Sequence, residues 1–188
     1  MKAIVVFLFV TIASMFALPY ALHAQHAEAP VYKEGDSWVF RVKGSGEFDG
    51  ENQIAFKNGQ FESSSAGFLG TAVLVTVNLN DPERKWFDFP LASGKKWSFR
   101  YSHRNRAGKL EWRDSTAEVI GPTPQPLETA AGKVSAIEIR RADQGRARFV
   151  LTYFYSPDTK SVVKLVADVD SPGGKDHVEL ELIKYSVQ

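Results

Sequence analysis

The sequence has no cysteine and, among its 188 residues, only four histidines and two methionines. The absence of cysteine excludes disulfide bonds, thiol chemistry and the lipid-carrying cysteine of ordinary bacterial lipoproteins. His26, His103 and His177 remain after the first 24 residues, and no two of them have the H-x-x-x-H spacing of a zinc site. No G-x-S-x-G motif for a serine nucleophile is present either. We therefore predict no metal and no cofactor, and no motif indicates catalysis.

An excess of charge of one sign is also lacking. The chain carries 23 basic and 22 acidic residues, and the only one of them within the first 24 positions is Lys2. Residues 25–188 therefore have a formal net charge of zero. Because a neutral protein has no global electrostatic attraction to a polyanion, we predict no nucleic-acid partner.

Long apolar runs are lacking except at the start of the chain. Lys2 precedes the uncharged, apolar stretch Ala3–Leu18, and Pro19 ends that stretch. A short basic region, an apolar run and small residues near a cleavage point are typical of a secretion signal. We predict that residues 1–24 are a signal peptide that is cut after Ala24, with Ala27 as a second cleavage point.

An uncleaved membrane anchor is the alternative interpretation of this stretch. The apolar run is shorter than the roughly 20 residues that a spanning helix needs, which favours cleavage. Residues 25–188 contain no second run of that kind. We expect them to form one exported domain, periplasmic or secreted, without a transmembrane span.

The segment from Gly132 to Asp170 organises the rest of the chain. Within it, apolar or aromatic residues recur at every second position from Ala147 to Tyr155, which indicates a strand with one buried face. Pro157 lacks a backbone N–H and predicts a turn after that strand. The segment should form a meander of three strands, with Leu151 buried at the centre of the middle one.

Short alternating stretches separated by turn residues continue over the whole mature chain. The further predicted strands are Ser37–Lys43, Gln53–Lys57, Thr71–Leu79, Trp97–Ser102, Thr116–Ile120 and His177–Tyr185. The proline-rich residues 121–126 are predicted to be a loop between sections of sheet. The sequence therefore predicts an all-β, single-domain antiparallel sandwich or half-open barrel of roughly ten strands.

Three short segments between Trp86 and Tyr185 combine turn residues with core residues. They are Phe89-Pro90-Leu91 followed by Gly94-Lys95-Lys96-Trp97, Ala131-Gly132-Lys133-Val134 followed by Ala136-Ile137-Glu138-Ile139, and Tyr155-Ser156-Pro157-Asp158 followed by Val163-Lys164. Together they resemble a loose group of uncharacterised exported bacterial β-sheet proteins. The pattern departs at Ala130, where the group has proline, and at Val134, where it has phenylalanine. The resemblance implies a fold and supplies no catalytic residue.

One predicted hairpin combines aromatic and basic residues. Its aromatic residues are Trp97, Phe99, Tyr101 and Trp112, and the basic residues near its tip include Arg104, Arg106 and Lys109. An amphipathic ligand, with an acidic head and an apolar tail, meets both requirements. We therefore predict a non-catalytic binding protein for a lipid-like molecule or another component of the cell envelope.

Three other interpretations of the same residues stay open. The aromatic side chains could simply fill the core. The chain could instead be a structural or adaptor protein of the cell envelope that acts through protein–protein contacts. It could also be a hydrolase whose site the sequence does not show; a buried carboxylate, or a histidine within reach of a serine in a cleft, is the sign to look for.

Overall fold

The structure is a computed structural model that describes residues 26–44, 49–64, 85–104, 108–144, 148–171 and 174–188. These residues form strands and turns but no helix. The strands are β1 (Ser37–Lys43), β2 (Gly50–Lys57), β3 (Gln60–Ser63), β4 (Lys96–Arg104), β5 (Leu110–Thr129), β6 (Gly132–Gln144), β7 (Arg148–Ser156), β8 (Ser161–Ser171) and β9 (Gly174–Ser186). The predicted strand Thr71–Leu79 lies outside the described residues.

All nine described strands belong to one antiparallel sheet. Their order is β3-β2-β1-β9-β8-β7-β6-β5-β4, so every neighbour in the sheet is also a neighbour in sequence except the pair β1 and β9. The all-β, antiparallel prediction is therefore confirmed. Since the described strands form a single open sheet, they correspond to the half-open barrel rather than to two packed sheets.

The predicted meander is formed by β6, β7 and β8. Ile139 lies opposite Tyr153 in β7, and Tyr153 lies opposite Leu165 in β8. All three side chains are buried, as period-two alternation requires. Leu151 is 6 % exposed, which confirms its predicted place in the core.

The proline-rich prediction is wrong, because β5 continues through residues 121–126. The ladder between β5 and β6 shifts from the pair Ile120–Glu138 to the pair Gln125–Ala136. Four residues of β5, two of them proline, therefore bulge out of the ladder and need no backbone hydrogen bond there. Beyond the bulge, β5 pairs with β6 and not with β4 in the described sheet. Pro126 has no backbone N–H, and at this position no second strand requires one.

The sheet coils so that one face becomes an inner face. The turn between β5 and β6 reaches β9, where the Ala130 amide donates a hydrogen bond of 3.0 Å to Glu181 Oε1. Residues 85–91, called the strap below, lie along the inner face without forming a strand. Trp86, Phe87 and Leu91 of the strap are buried there. None of the described residues belongs to a helix long and apolar enough to cross a membrane.

A buried carboxylate joins the start of β1 to two neighbouring segments of the chain. Asp36, just before β1, accepts hydrogen bonds of 2.9 Å from Lys160 Nζ in the β7–β8 turn and from the Gln188 amide. Burial alone would raise the pKa of Asp36, but the hydrogen bonds from Lys160, Lys33 and Gln188 lower it overall. Asp36 is therefore held as a carboxylate that joins the start of β1 to the β7–β8 turn and to the residues that follow β9.

Candidate functional site

Three of the predicted aromatic residues share the inner face of β4. Trp97, Phe99 and Tyr101 are each only 8–9 % exposed. The strap covers them: the ring of Trp86 lies 5.4 Å from that of Phe99 and 5.0 Å from that of Tyr101. In addition, Trp97 Nε1 donates a hydrogen bond of 2.7 Å to the Lys85 carbonyl. These three rings thus pack in the core rather than line an open groove.

Trp112, the fourth predicted aromatic residue, lies on the opposite face. In the β4–β5 register Trp112 is opposite Ser102, whereas the inward-facing Tyr101 is opposite Arg113. Trp112 therefore points outwards with Ser102, and 63 % of its surface is exposed. Leu110, two residues earlier on the same face, is 48 % exposed. The structure separates the predicted aromatic set into a buried group of three and an exposed Trp112.

The predicted basic residues are only partly described. Lys109 is exposed directly before β5, and Arg104 ends β4 opposite Leu110. Arg106 and the cleavage residue Ala24 lie outside the described residues. Along the hairpin sequence 100–114 there are five basic residues and two acidic residues, Glu111 and Asp114.

A buried ionic cluster, which the sequence analysis did not identify, lies beneath the strap. Arg141 on β6 is 2 % exposed and binds Asp143 with both ends of its guanidinium, Nε to Oδ1 at 2.9 Å and Nη2 to Oδ2 at 2.8 Å. Arg141 Nη1 donates to Tyr153 Oη at 3.1 Å. Ser115 Oγ donates to Asp143 Oδ1 at 2.7 Å, and Tyr101 Oη donates to Asp143 Oδ2.

Aromatic rings enclose the guanidinium of this cluster. The Arg141 Cζ atom lies 3.7 Å from the ring centre of Trp86 and 5.1 Å from that of Tyr101, within the range of a cation–π contact. Burial by itself lowers the pKa of Arg141, but Tyr153 and Asp143 raise it overall. Burial also raises the pKa of Tyr101 and Tyr153, so both hydroxyls stay protonated and the cluster is one buried ion pair with neutral hydrogen-bonding partners.

The ionic cluster does not have the layout of a hydrolase site. Ser115 is 1 % exposed, and its hydroxyl is held between Asp143 and Arg141 Nε. No described histidine forms part of the cluster. A nucleophile needs access to its substrate as well as a base beside it. The buried carboxylate of Asp143 lies beside Ser115, but the Ser115 hydroxyl is itself buried and has no access. The contacts of the cluster are those of a structural element of the inner face.

His177 lies outside that cluster, on the exposed surface of β9, which is three strands from β6 in the sheet. Its Nδ1 atom is 2.7 Å from Asp168 Oδ1 and its Nε2 atom is 3.3 Å from Glu179 Oε1. Hydrogen bonds to Asp168 and Glu179 raise the pKa of His177, since both carboxylates favour the imidazolium. With both ring nitrogens facing carboxylates, the surroundings of His177 favour its protonated form.

The outer face of β4, β5 and β6 carries a shallow depression of about 470 Å³. The small side chains Ser98, Thr116 and Ala142 adjoin one another across the three strands and form its floor. The ion pair between Lys96 and Glu118, 3.0 Å long, borders it on one side. The depression is open to solvent, and neither Trp112 nor Leu110 is among the residues that line it.

Comparison with known proteins gives no family for the chain. No protein-family model and no curated protein matches it. Among solved structures it is similar to the hypothetical lipoprotein YmcC of Escherichia coli K12, with a TM-score of 0.43, 11 % identity and coverage of 82 % of this chain and 86 % of that chain. It is also similar to a hypothetical exported protein of Bacteroides fragilis with a YmcC-like fold, with a TM-score of 0.40, 11 % identity and coverage of 85 % and 99 %. At TM-scores and identities this low, the similarity assigns no function.

Proposed function

We propose that the chain is an exported, non-catalytic binding protein of the cell envelope, and that its ligand is amphipathic with an acidic head. The observation that carries the proposal is the pair of exposed apolar side chains, Leu110 and Trp112, on the outer face of a hairpin rich in basic residues. Exposed large apolar residues beside positive charge fit a partner that offers both apolar and acidic groups.

The apolar part of the ligand belongs on the outer face in this proposal. Trp97, Phe99 and Tyr101 already pack against the strap, so contact with them requires the strap to leave. Trp112 and Leu110 are exposed without any rearrangement. Each CH₂ group that the ligand buries there contributes about 0.8 kcal/mol, whereas exposed charge pairs add little and weaken with salt.

Binding of a fluorescent fatty acid to the mature protein tests this proposal. We expect saturable binding that tightens with tail length, and we expect Trp112→Ala to weaken it far more than Arg106→Gln, because apolar burial dominates the affinity. Phe99→Leu serves as the control on the inner face and should leave the affinity unchanged. Absence of a saturable signal at every tail length, with the protein shown to be folded, removes the proposal.

An adaptor role is the second candidate, and the filled inner face favours it. Two exposed apolar side chains on one face, with the described inner face packed, are also the pattern of a protein-binding surface. Cross-linking in the native host distinguishes the two candidates: a crosslinker attached at position 112 should capture lipid in the first case and one defined protein in the second.

Export is part of the proposal, and it rests on Lys2 and the apolar stretch Ala3–Leu18. We expect the mature protein to begin at Gln25 and to occur in the periplasm or the medium. N-terminal sequencing of the fractionated protein checks this. Recovery of an intact Met1 from the membrane fraction would show that the stretch is an anchor.

A further inference from the structure

We propose that the β4–β5 hairpin meets its acidic, amphipathic partner as an anionic lipid surface, with Leu110 and Trp112 entering the interfacial layer. This rests on the proposed function and specifies how the ligand is presented: the lipid stays in its bilayer and the protein comes to it. The argument depends on the shape of the outer face, on its charge and on the chemistry of Trp112.

The shape of the outer face favours a surface over a single extracted lipid. Leu110 and Trp112 stand on the outside of a coiled sheet, and the residues beside them are polar: Ser102, and the Arg100–Asp114 ion pair with a shortest contact of 2.7 Å. Among the described residues, none forms a wall there that could cover a long tail. Each methylene that leaves a bilayer for water lowers the partition about fourfold, so a lipid bound on this open face stays in its membrane.

The charge of the hairpin favours anionic headgroups. Positions 100–114 of the hairpin hold five basic residues and two acidic residues, a formal net charge of +3, and Lys109 is exposed directly beside Leu110. A basic residue near an anionic membrane strengthens binding about fivefold, and the attraction weakens with salt. Tryptophan is also the residue that favours the interfacial layer, where its ring is apolar and its N–H finds a polar partner.

The four tryptophans make intrinsic fluorescence a direct measurement of this contact. Trp38, Trp86 and Trp97 are buried, whereas Trp112 is 63 % exposed. Vesicles of phosphatidylglycerol and phosphatidylcholine should therefore shift the emission to the blue and protect it from acrylamide. Vesicles of phosphatidylcholine alone should do neither. Raising the salt concentration should weaken the binding.

Single substitutions separate the contributions. Trp112→Phe should abolish the spectral change, and Trp112→Ala should weaken sedimentation with anionic vesicles about tenfold or more, because a large apolar side chain no longer enters the interface. Lys109→Gln should weaken it about fivefold. Tyr185→Ala is the matched control: Tyr185 is an exposed aromatic residue on β9, away from the hairpin, and its loss should change nothing.

The outcomes distinguish this inference from the proposed function. Saturable binding of monomeric fatty acid without vesicle binding overturns the surface inference and leaves the proposed function standing. If the protein binds neither fatty acid nor vesicles, the proposed function and this inference are both wrong. Equal binding to phosphatidylcholine vesicles, or vesicle binding that persists in Trp112→Ala combined with Leu110→Ser, also overturns the inference. If the protein binds soluble polyglutamate as tightly as anionic vesicles, the surface inference is also overturned, and the result indicates an acidic protein partner.

Discussion

Asp143→Ala is expected to lower the free energy of unfolding by about 3–5 kcal/mol, because it leaves the buried guanidinium of Arg141 without its counter-ion. The loss extends beyond the ion pair. Asp143 also accepts hydrogen bonds from the hydroxyl groups of Ser115 and Tyr101. In the variant both hydroxyl groups become buried donors without this acceptor. Urea denaturation followed by circular dichroism measures the change.

Two further variants test whether the cost comes from the unpaired charge. Arg141→Met together with Asp143→Ala should recover part of the stability, because neither charge is left buried. Asp114→Ala is the matched surface control: it also breaks an Arg–Asp pair, but Arg100 and Asp114 are both exposed. Its effect should be barely measurable, since solvent screens such pairs. A loss for Asp143→Ala as small as that of Asp114→Ala contradicts this account of the ionic cluster.

The sequence predicts the strands well where apolar and polar residues alternate over several successive positions. The bounds of β1 are those predicted, and the meander of β6, β7 and β8 is found where Gly132–Asp170 indicated it. In these strands most of the buried apolar residues lie on one face, and that face is the inner face of the sheet. Alternation of this kind reports burial directly, because successive side chains point to opposite sides of a strand.

The candidate site was harder to predict, because it depends on the register between strands. Trp97, Phe99 and Tyr101 share a face by their spacing alone, but the face of Trp112 depends on which β4 residue it opposes. The pair Ser102–Trp112 puts it outside. A register shifted by one residue puts it inside, and the turn that sets the register gives no clear signal in the sequence.

Alternation places Arg141 and Asp143 of the ionic cluster on the inner face, but it does not show that they are buried. Ile137 and Ile139 point inwards on β6, and two further steps along the same face reach Arg141 and Asp143. Because the pattern changes there from apolar to charged, it suggests the end of the buried face. It is instead a buried pair, and only tertiary packing under Trp86 shows this. In the strap, Phe87, Phe89 and Leu91 alternate as in a strand, but this spacing does not indicate which part of the sheet the strap covers.

Phe87→Ala is expected to destabilise the fold by about 3–5 kcal/mol, as removal of a buried aromatic side chain does. Phe87 is 2 % exposed, and its ring centre lies 5.6 Å from that of Tyr153 and 5.9 Å from that of Tyr155. It therefore joins the strap to the middle of the sheet, and the substitution leaves a cavity between them. Urea denaturation again measures the change.

Trp112→Ala is the control for this experiment, because it removes a larger ring from an exposed position and should leave the stability nearly unchanged.

Phe87→Ala also tests whether the strap occupies a ligand-binding groove. If the strap only fills the core, the folded Phe87→Ala variant should bind fatty acid with the affinity of the wild type. If the strap instead occupies a tail-binding groove, its loosening should expose Trp97 and Phe99 and tighten binding of long tails. A loss of stability below about 1 kcal/mol for Phe87→Ala, typical of a surface site, contradicts the packing of the strap against the inner face.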